Sequence, residues 1–104
     1  MDKTIDFPKK KELIEEMRKN HIIFAALFGS RAKETAKEDS DYDLLVEFDP
    51  AVPIPLSRFM KVEENIKQVL DSPVDIVTIN GLGRKSFKQE VLSTMKVFYD
   101  RREG

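Results

Sequence analysis

Two aspartates separated by one residue, Asp41 and Asp43, stand at the head of an apolar run through Leu44, Leu45 and Val46. Side chains on a strand alternate with a period of two, so both carboxylates point to one face, where they can share divalent metal ions. Upstream, Ile22-Ile23-Phe24-Ala25-Ala26-Leu27-Phe28 reads as a buried strand running into Gly29-Ser30. Gly29 has no side chain and lets another group approach the backbone closely, and the group expected there is a phosphate. Ser30 and Arg31 come just before a stretch of short helical propensity. Unpaired N–H groups at a helix start, together with the helix dipole, favour an anion. Ser30 serves equally as a helix N-cap, and the two roles coexist.

Chemistry at a polyphosphate builds negative charge on both the attacking and the leaving oxygen, and two cations about 3.5–4 Å apart stabilise both at once. Mg²⁺ suits such a place because it takes oxygen ligands shared with phosphates and water. A third carboxylate would complete the site, and Asp75 is the candidate because it interrupts the otherwise apolar strand Val74, Ile76, Val77. If that strand pairs beside the Asp43 strand with the acidic faces matched, Asp75 can accept a proton from the attacking hydroxyl and help hold one metal. In the other reading Asp75 is an exposed polar residue on a half-buried strand. Arg84 and Lys85 follow that strand and could face the phosphates.

The elements that must position these residues are legible in the periodicity. Leu13, Ile14 and Met17 form the stripe of a surface helix opening near Pro8 and Lys9 and ending near Asn20. In the Asp43 strand Tyr42, Leu44, Val46 and Phe48 share the packing face, and Asp41, Asp43, Leu45 and Glu47 the other. Pro50, Pro53 and Pro55 make the next segment a loop. Leu56, Phe59, Val62, Ile66, Val69 and Leu70 predict a long helix, stopped by Ser72-Pro73. The third strand spans 74 to 79, with Val74 and Ile76 opposite Asp75 and Val77. Gly81-Leu82-Gly83 reads as a turn. Ser86 and Gln89 predict a capping box for a helix carrying Phe87, Val91 and Met95. A strand over 96 to 99 and a polar tail from Asp100 close the chain.

At 104 residues and 40% hydrophobic content, the chain is expected to form one domain over residues 1–104. The formal net charge of -1, with 36% charged residues of both signs, provides no global basic field, so no direct nucleic-acid binding is expected. The absence of cysteine excludes disulfides, thiolate metal sites and a cysteine nucleophile. A single histidine, His21, excludes a metal site built on several imidazoles and reads as a capping or surface residue. No apolar run is long enough for a membrane span and no signal-peptide core is present, so a cytoplasmic protein without membrane association is expected. Tyr42 and Tyr99 read as packing residues, although an exposed tyrosine hydroxyl could itself be modified.

The stretch Phe28-Gly29-Ser30-Arg31-Ala32 followed by Asp39-Ser40-Asp41-Tyr42-Asp43-Leu44-Leu45-Val46 resembles the signature of the polymerase-beta-like nucleotidyltransferases, and within them the small minimal nucleotidyltransferases. The Pro-containing loop, the amphipathic helix and Ser72-Pro73-Val74-Asp75-Ile76-Val77-Thr78 follow in the order of that group. The resemblance implies an α+β fold, a mixed sheet flanked by helices. It also implies Asp41, Asp43 and Asp75 as catalytic and metal-holding acids, with Gly29, Ser30 and Arg31 toward the triphosphate and Mg²⁺ and ATP as cofactor and substrate. The sequence departs from the family at Glu34, beside Lys33, where a glycine commonly precedes the position of Thr35. An acid there would oppose triphosphate binding.

Many proteins of this resemblance are antitoxins paired with an all-helical HEPN toxin, and some move AMP from ATP onto a tyrosine of that toxin. Protein adenylylation of a helical toxin partner is therefore the activity expected. Two alternatives stay open: transfer to a small hydroxylated molecule, whose enzymes usually carry an additional helical domain, and a non-catalytic antitoxin acting by binding alone.

Overall fold

A computed structural model describes residues 7, 9–29, 41–79 and 85–102, apart from the side chains of 85–87. The first helix, α1, is Lys10–Lys19 and buries Leu13 and Met17. Asn20 ends it: its N–H donates to Met17 O at 3.2 Å, and its side-chain amide reaches back to Glu16 O at 2.7 Å. His21 is exposed and turns the chain at φ 63 into the strand β1, Ile22–Phe28. Its carbonyl accepts the Asp49 N–H at 2.8 Å, which ties this turn to the far end of β2, Tyr42–Phe48.

The helix α2 is Leu56–Leu70, and Asp71 closes it at φ 52. Ser72 and Pro73 then lead into β3, Val74–Thr78. Proline disfavours helical backbone in the residue before it, which stops α2 where the sequence indicates. The helix α3 is Lys85–Thr94 and the strand β4 Lys96–Asp100. The four strands form one sheet in the order β3-β2-β1-β4. The pairs β1–β2 and β1–β4 are antiparallel and β2–β3 is parallel, so the sheet is mixed, as expected.

The sheet is buried on both faces. On one side Leu44, Val46 and Tyr42 pack with Leu13, Met17, Val62, Ile66 and Leu70 of α1 and α2. On the other, Phe24, Ala26, Phe28 and Leu45 pack with Val91 of α3. Leu45 therefore lies in a second core on the face that also carries the acids.

Two bulges refine the simple alternation. Between Ile22↔Phe48 and Phe24↔Glu47, β1 advances two residues against one of β2, which puts Ile22 on the α1/α2 face together with Ala25 and Leu27. Between Ala25↔Tyr99 and Ala26↔Val97, β4 carries the extra residue, and Phe98 and Tyr99 both join that same core. Phe7 caps this end with its ring edge-on to Phe98 at 5.1 Å. Tyr42 and Tyr99 are both buried, which closes the reading of either as an exposed modification target.

Three expectations shift. Leu56 is 73% exposed rather than packed. At 3.6 residues per turn it points about 100° away from the direction shared by Val62 and Ile66, toward the flank occupied by exposed Met60. Ser86 lies inside the first turn of α3 rather than ahead of it, since the helix begins at Lys85. Asp100 ends β4 opposite Phe24 instead of opening a tail, held by Arg102, whose Nε donates to Asp100 Oδ1 at 3.1 Å.

Candidate active site

Strand pairing sets two of the acids side by side. In the parallel ladder Asp43 stands opposite Asp75, one step after Tyr42↔Val74. The register is fixed at this end by Tyr42 N–H donating to Pro73 O at 3.0 Å. Hydrophobic patterning agrees, because Leu44 and Ile76 face the α1/α2 core while Leu45 and Val77 face α3. A slip of one residue would turn each of these to the wrong side. Asp41 lies immediately before β2 rather than within it and is exposed, as is Asp75.

Asp43 is half-buried, and its carboxyl is pushed above the ordinary carboxylate range. Desolvation by burial is the largest cause, followed by repulsion from Asp75 and then from Asp41. The three acids thus interact as charges across one end of the sheet. No described lysine or arginine forms an ion pair with them. Among the described residues no three acidic or imidazole side chains are gathered tightly enough to form a metal-ligand group. Asp43 and Asp75, as register partners, share a face of the sheet. The chemistry of the three acids still fits a hard divalent cation: all donors are carboxylate oxygens and the central one is disfavoured as an unshielded anion.

Gly29 follows β1 directly and has φ 72, a left-handed conformation natural to glycine. The group that approaches it here is the Asp43 carboxylate: a Cβ built on Gly29 would fall on Asp43 Oδ2. Strand pairing brings this about, because Phe28 is the antiparallel partner of Asp43. The sequence does not reveal this contact, which joins residues on different strands. Ser30, Arg31, Glu34, Gly81, Gly83 and Arg84 lie outside the described residues, as does the side chain of Lys85.

Residues 11–104 match the family model described as Polymerase beta, Nucleotidyltransferase, and the chain belongs to that family of nucleotidyltransferases. Within it, the chain is 40% identical over 74 residues to the protein adenylyltransferase MntA of Thermococcus cleftensis, covering 70% of this chain and 69% of that protein. Its fold is shared with a crystal structure of a toxin–antitoxin complex with AMP-PNP, at a TM-score of 0.72 and 24% identity over 88% of this chain and 73% of that one. A structure of a tri-AMPylated Shewanella oneidensis HEPN toxin with its MNT antitoxin is also similar, with a TM-score of 0.65, 21% identity and coverage of 88% and 70%. Among the described residues no helix is long and apolar enough to cross a membrane.

Proposed function

We propose that this chain is a Mg²⁺-dependent protein adenylyltransferase that acts as the antitoxin of a cytoplasmic HEPN toxin pair, moving AMP from ATP to a tyrosine of the toxin. The observation that carries the reading is the alignment of Asp43 with Asp75 across a parallel ladder, with Asp41 close enough to repel Asp43. The similarity to an adenylyltransferase MntA supports the nucleotide and the protein acceptor.

Asp41, Asp43 and Asp75 would hold the metal. When bound, Mg²⁺ would neutralise charge on the triphosphate and on the oxygens that gain charge during transfer. Asp75 takes the proton of the tyrosine hydroxyl as its oxygen forms a bond to the α-phosphorus. The bond from that phosphorus to the β-phosphate bridging oxygen breaks, and pyrophosphate leaves with the electron pair. On this reading Gly29, Ser30 and Arg31 would serve the triphosphate, since a serine hydroxyl and a guanidinium suit its anionic oxygens. The product tyrosine carries a bulky anionic group, which opposes the approach of RNA phosphates to a ribonuclease surface.

The test is transfer of label from α-labelled ATP to the purified toxin in the presence of Mg²⁺. Asp43→Ala should abolish labelling. Label released only as free AMP, or transfer that survives the substitution, would sink the reading. Toxin protection that persists in Asp41→Asn and Asp43→Asn would instead favour an antitoxin that works by binding alone.

A further inference from the structure

The carboxylate of Asp43 occupies space that any residue other than glycine at position 29 would fill. A Cβ built on Gly29 falls on Asp43 Oδ2 and stands 3.3 Å from Asp43 Cγ and 3.5 Å from Asp43 Cβ, so its nearest neighbours all belong to this one side chain. The relationship is built into the sheet. Phe28 and Asp43 are antiparallel partners, and Gly29, the next residue, turns at φ 72. A carboxylate is the far end of a rotatable side chain, whereas the paired strands beneath it are held by backbone hydrogen bonds. A methyl group at position 29 would therefore displace the carboxylate rather than the backbone.

We propose that Gly29 is a positioning residue: its missing Cβ leaves the space in which the Asp43 carboxylate sits and so sets the rotamer from which Asp43 meets a cation. The inference rests on the reading of Asp43 as a metal ligand and extends it. The glycine serves the protein's own acid, independently of any approach by a phosphate.

The test uses the full chain, with Mn²⁺ alone as the probe and no nucleotide. Free Mn²⁺ is followed by electron paramagnetic resonance, the Asp43 χ1 rotamer by three-bond NMR couplings, and folding by Tm. Gly29→Ala adds both a Cβ and backbone strain. Gly29→Asn also adds a Cβ but tolerates positive φ better. Both variants are expected to change the Asp43 rotamer and to weaken Mn²⁺ binding on the order of 10- to 100-fold, as the loss of support to a ligand does. Gly29→Asn should retain a Tm closer to that of the parent.

An unchanged Asp43 rotamer in either variant overturns the proposal. So does Gly29→Asn regaining parental Mn²⁺ affinity along with its Tm, which would leave backbone strain as the only effect. Asp43→Ala separates the two readings. If it binds Mn²⁺ as the parent does, the ligand role of Asp43 falls, while the rotamer measurement still decides what Gly29 does.

Discussion

Asp43 and Asp75 are register partners in adjacent parallel strands, β2 and β3. Neighbouring strands lie roughly 4.8 Å apart, so two acids on the same face of such a pair repel unless something positive comes between them. The fold thus holds a destabilising arrangement at the place where nucleotidyl transfer would use it.

Replacing Asp43 with the isosteric Asn should raise stability near neutral pH while lowering transfer by more than about a hundredfold. The carboxyl is pushed upward in the folded state, so the fold binds its proton more tightly than the unfolded chain does. Its ionisation therefore costs stability above the folded value, and the cost disappears below the unfolded value, once both states are protonated. Melting curves should show Asp43→Asn a few degrees above the parent at pH 7, with the gap closing as pH falls into the ordinary carboxylate range. An unchanged or lower Tm at pH 7 would contradict the electrostatic account.

Removal of Arg102 should lower stability near neutral pH and make it less dependent on acid. Asp100 is held below the ordinary carboxylate range, chiefly by side-chain hydrogen bonds from Arg102. A depressed carboxyl contributes stability above its unfolded value and loses it as pH falls through its lower folded value. Arg102 also bonds Glu47 at 3.4 Å and lies over the Phe24 ring at 4.0 Å. These groups are largely solvated, so after screening Arg102→Ala should cost only about 1 kcal/mol at neutral pH. The difference from the parent should shrink in acid, measured by urea unfolding between pH 2 and 7 (about the range of carboxylate titration).

Glu16 fastens α1 to α2. Its Oε2 accepts from Asn20 Nδ2 at 2.9 Å and from Asn65 Nδ2 at 3.1 Å, and Asn20 is only 5% exposed. Glu16→Ala strips a partner from a buried amide and should cost about 1–3 kcal/mol in urea unfolding. Asn65→Ala should cost less, because the Glu16–Asn20 bond remains. Equal losses would mean that the network is not apportioned in this way.

Two apolar residues of α2 should behave in opposite ways. Ile66 is fully buried between α2 and the sheet, and Ile66→Ala should cost about 2–5 kcal/mol. Leu56 is 73% exposed, and Leu56→Ser should stay within about 0.5 kcal/mol of the parent. A large loss at Leu56 in the isolated chain would show that it packs after all.

Local sequence determined the elements because their signals are local. Alternation from Tyr42 to Phe48 placed the acids opposite Leu44 and Val46, and the periodic stripe through Val62, Ile66 and Leu70 announced α2. Pro73 marked where that helix had to end. The pattern also named Asp75 as an acid in an apolar strand, but it could not say which strand lay beside it.

Tertiary structure decided what depends on pairing between distant segments. Register put Asp75 opposite Asp43, bulges moved Ile22 and Phe98 into the α1/α2 core, and the turn after β1 brought Gly29 against the Asp43 carboxylate. Alternation repeats every two residues on each strand alone and says nothing of the offset between strands. That offset is set by burying both sheet faces together with backbone bonds such as Tyr42 N–H to Pro73 O, which form only once the chain has folded.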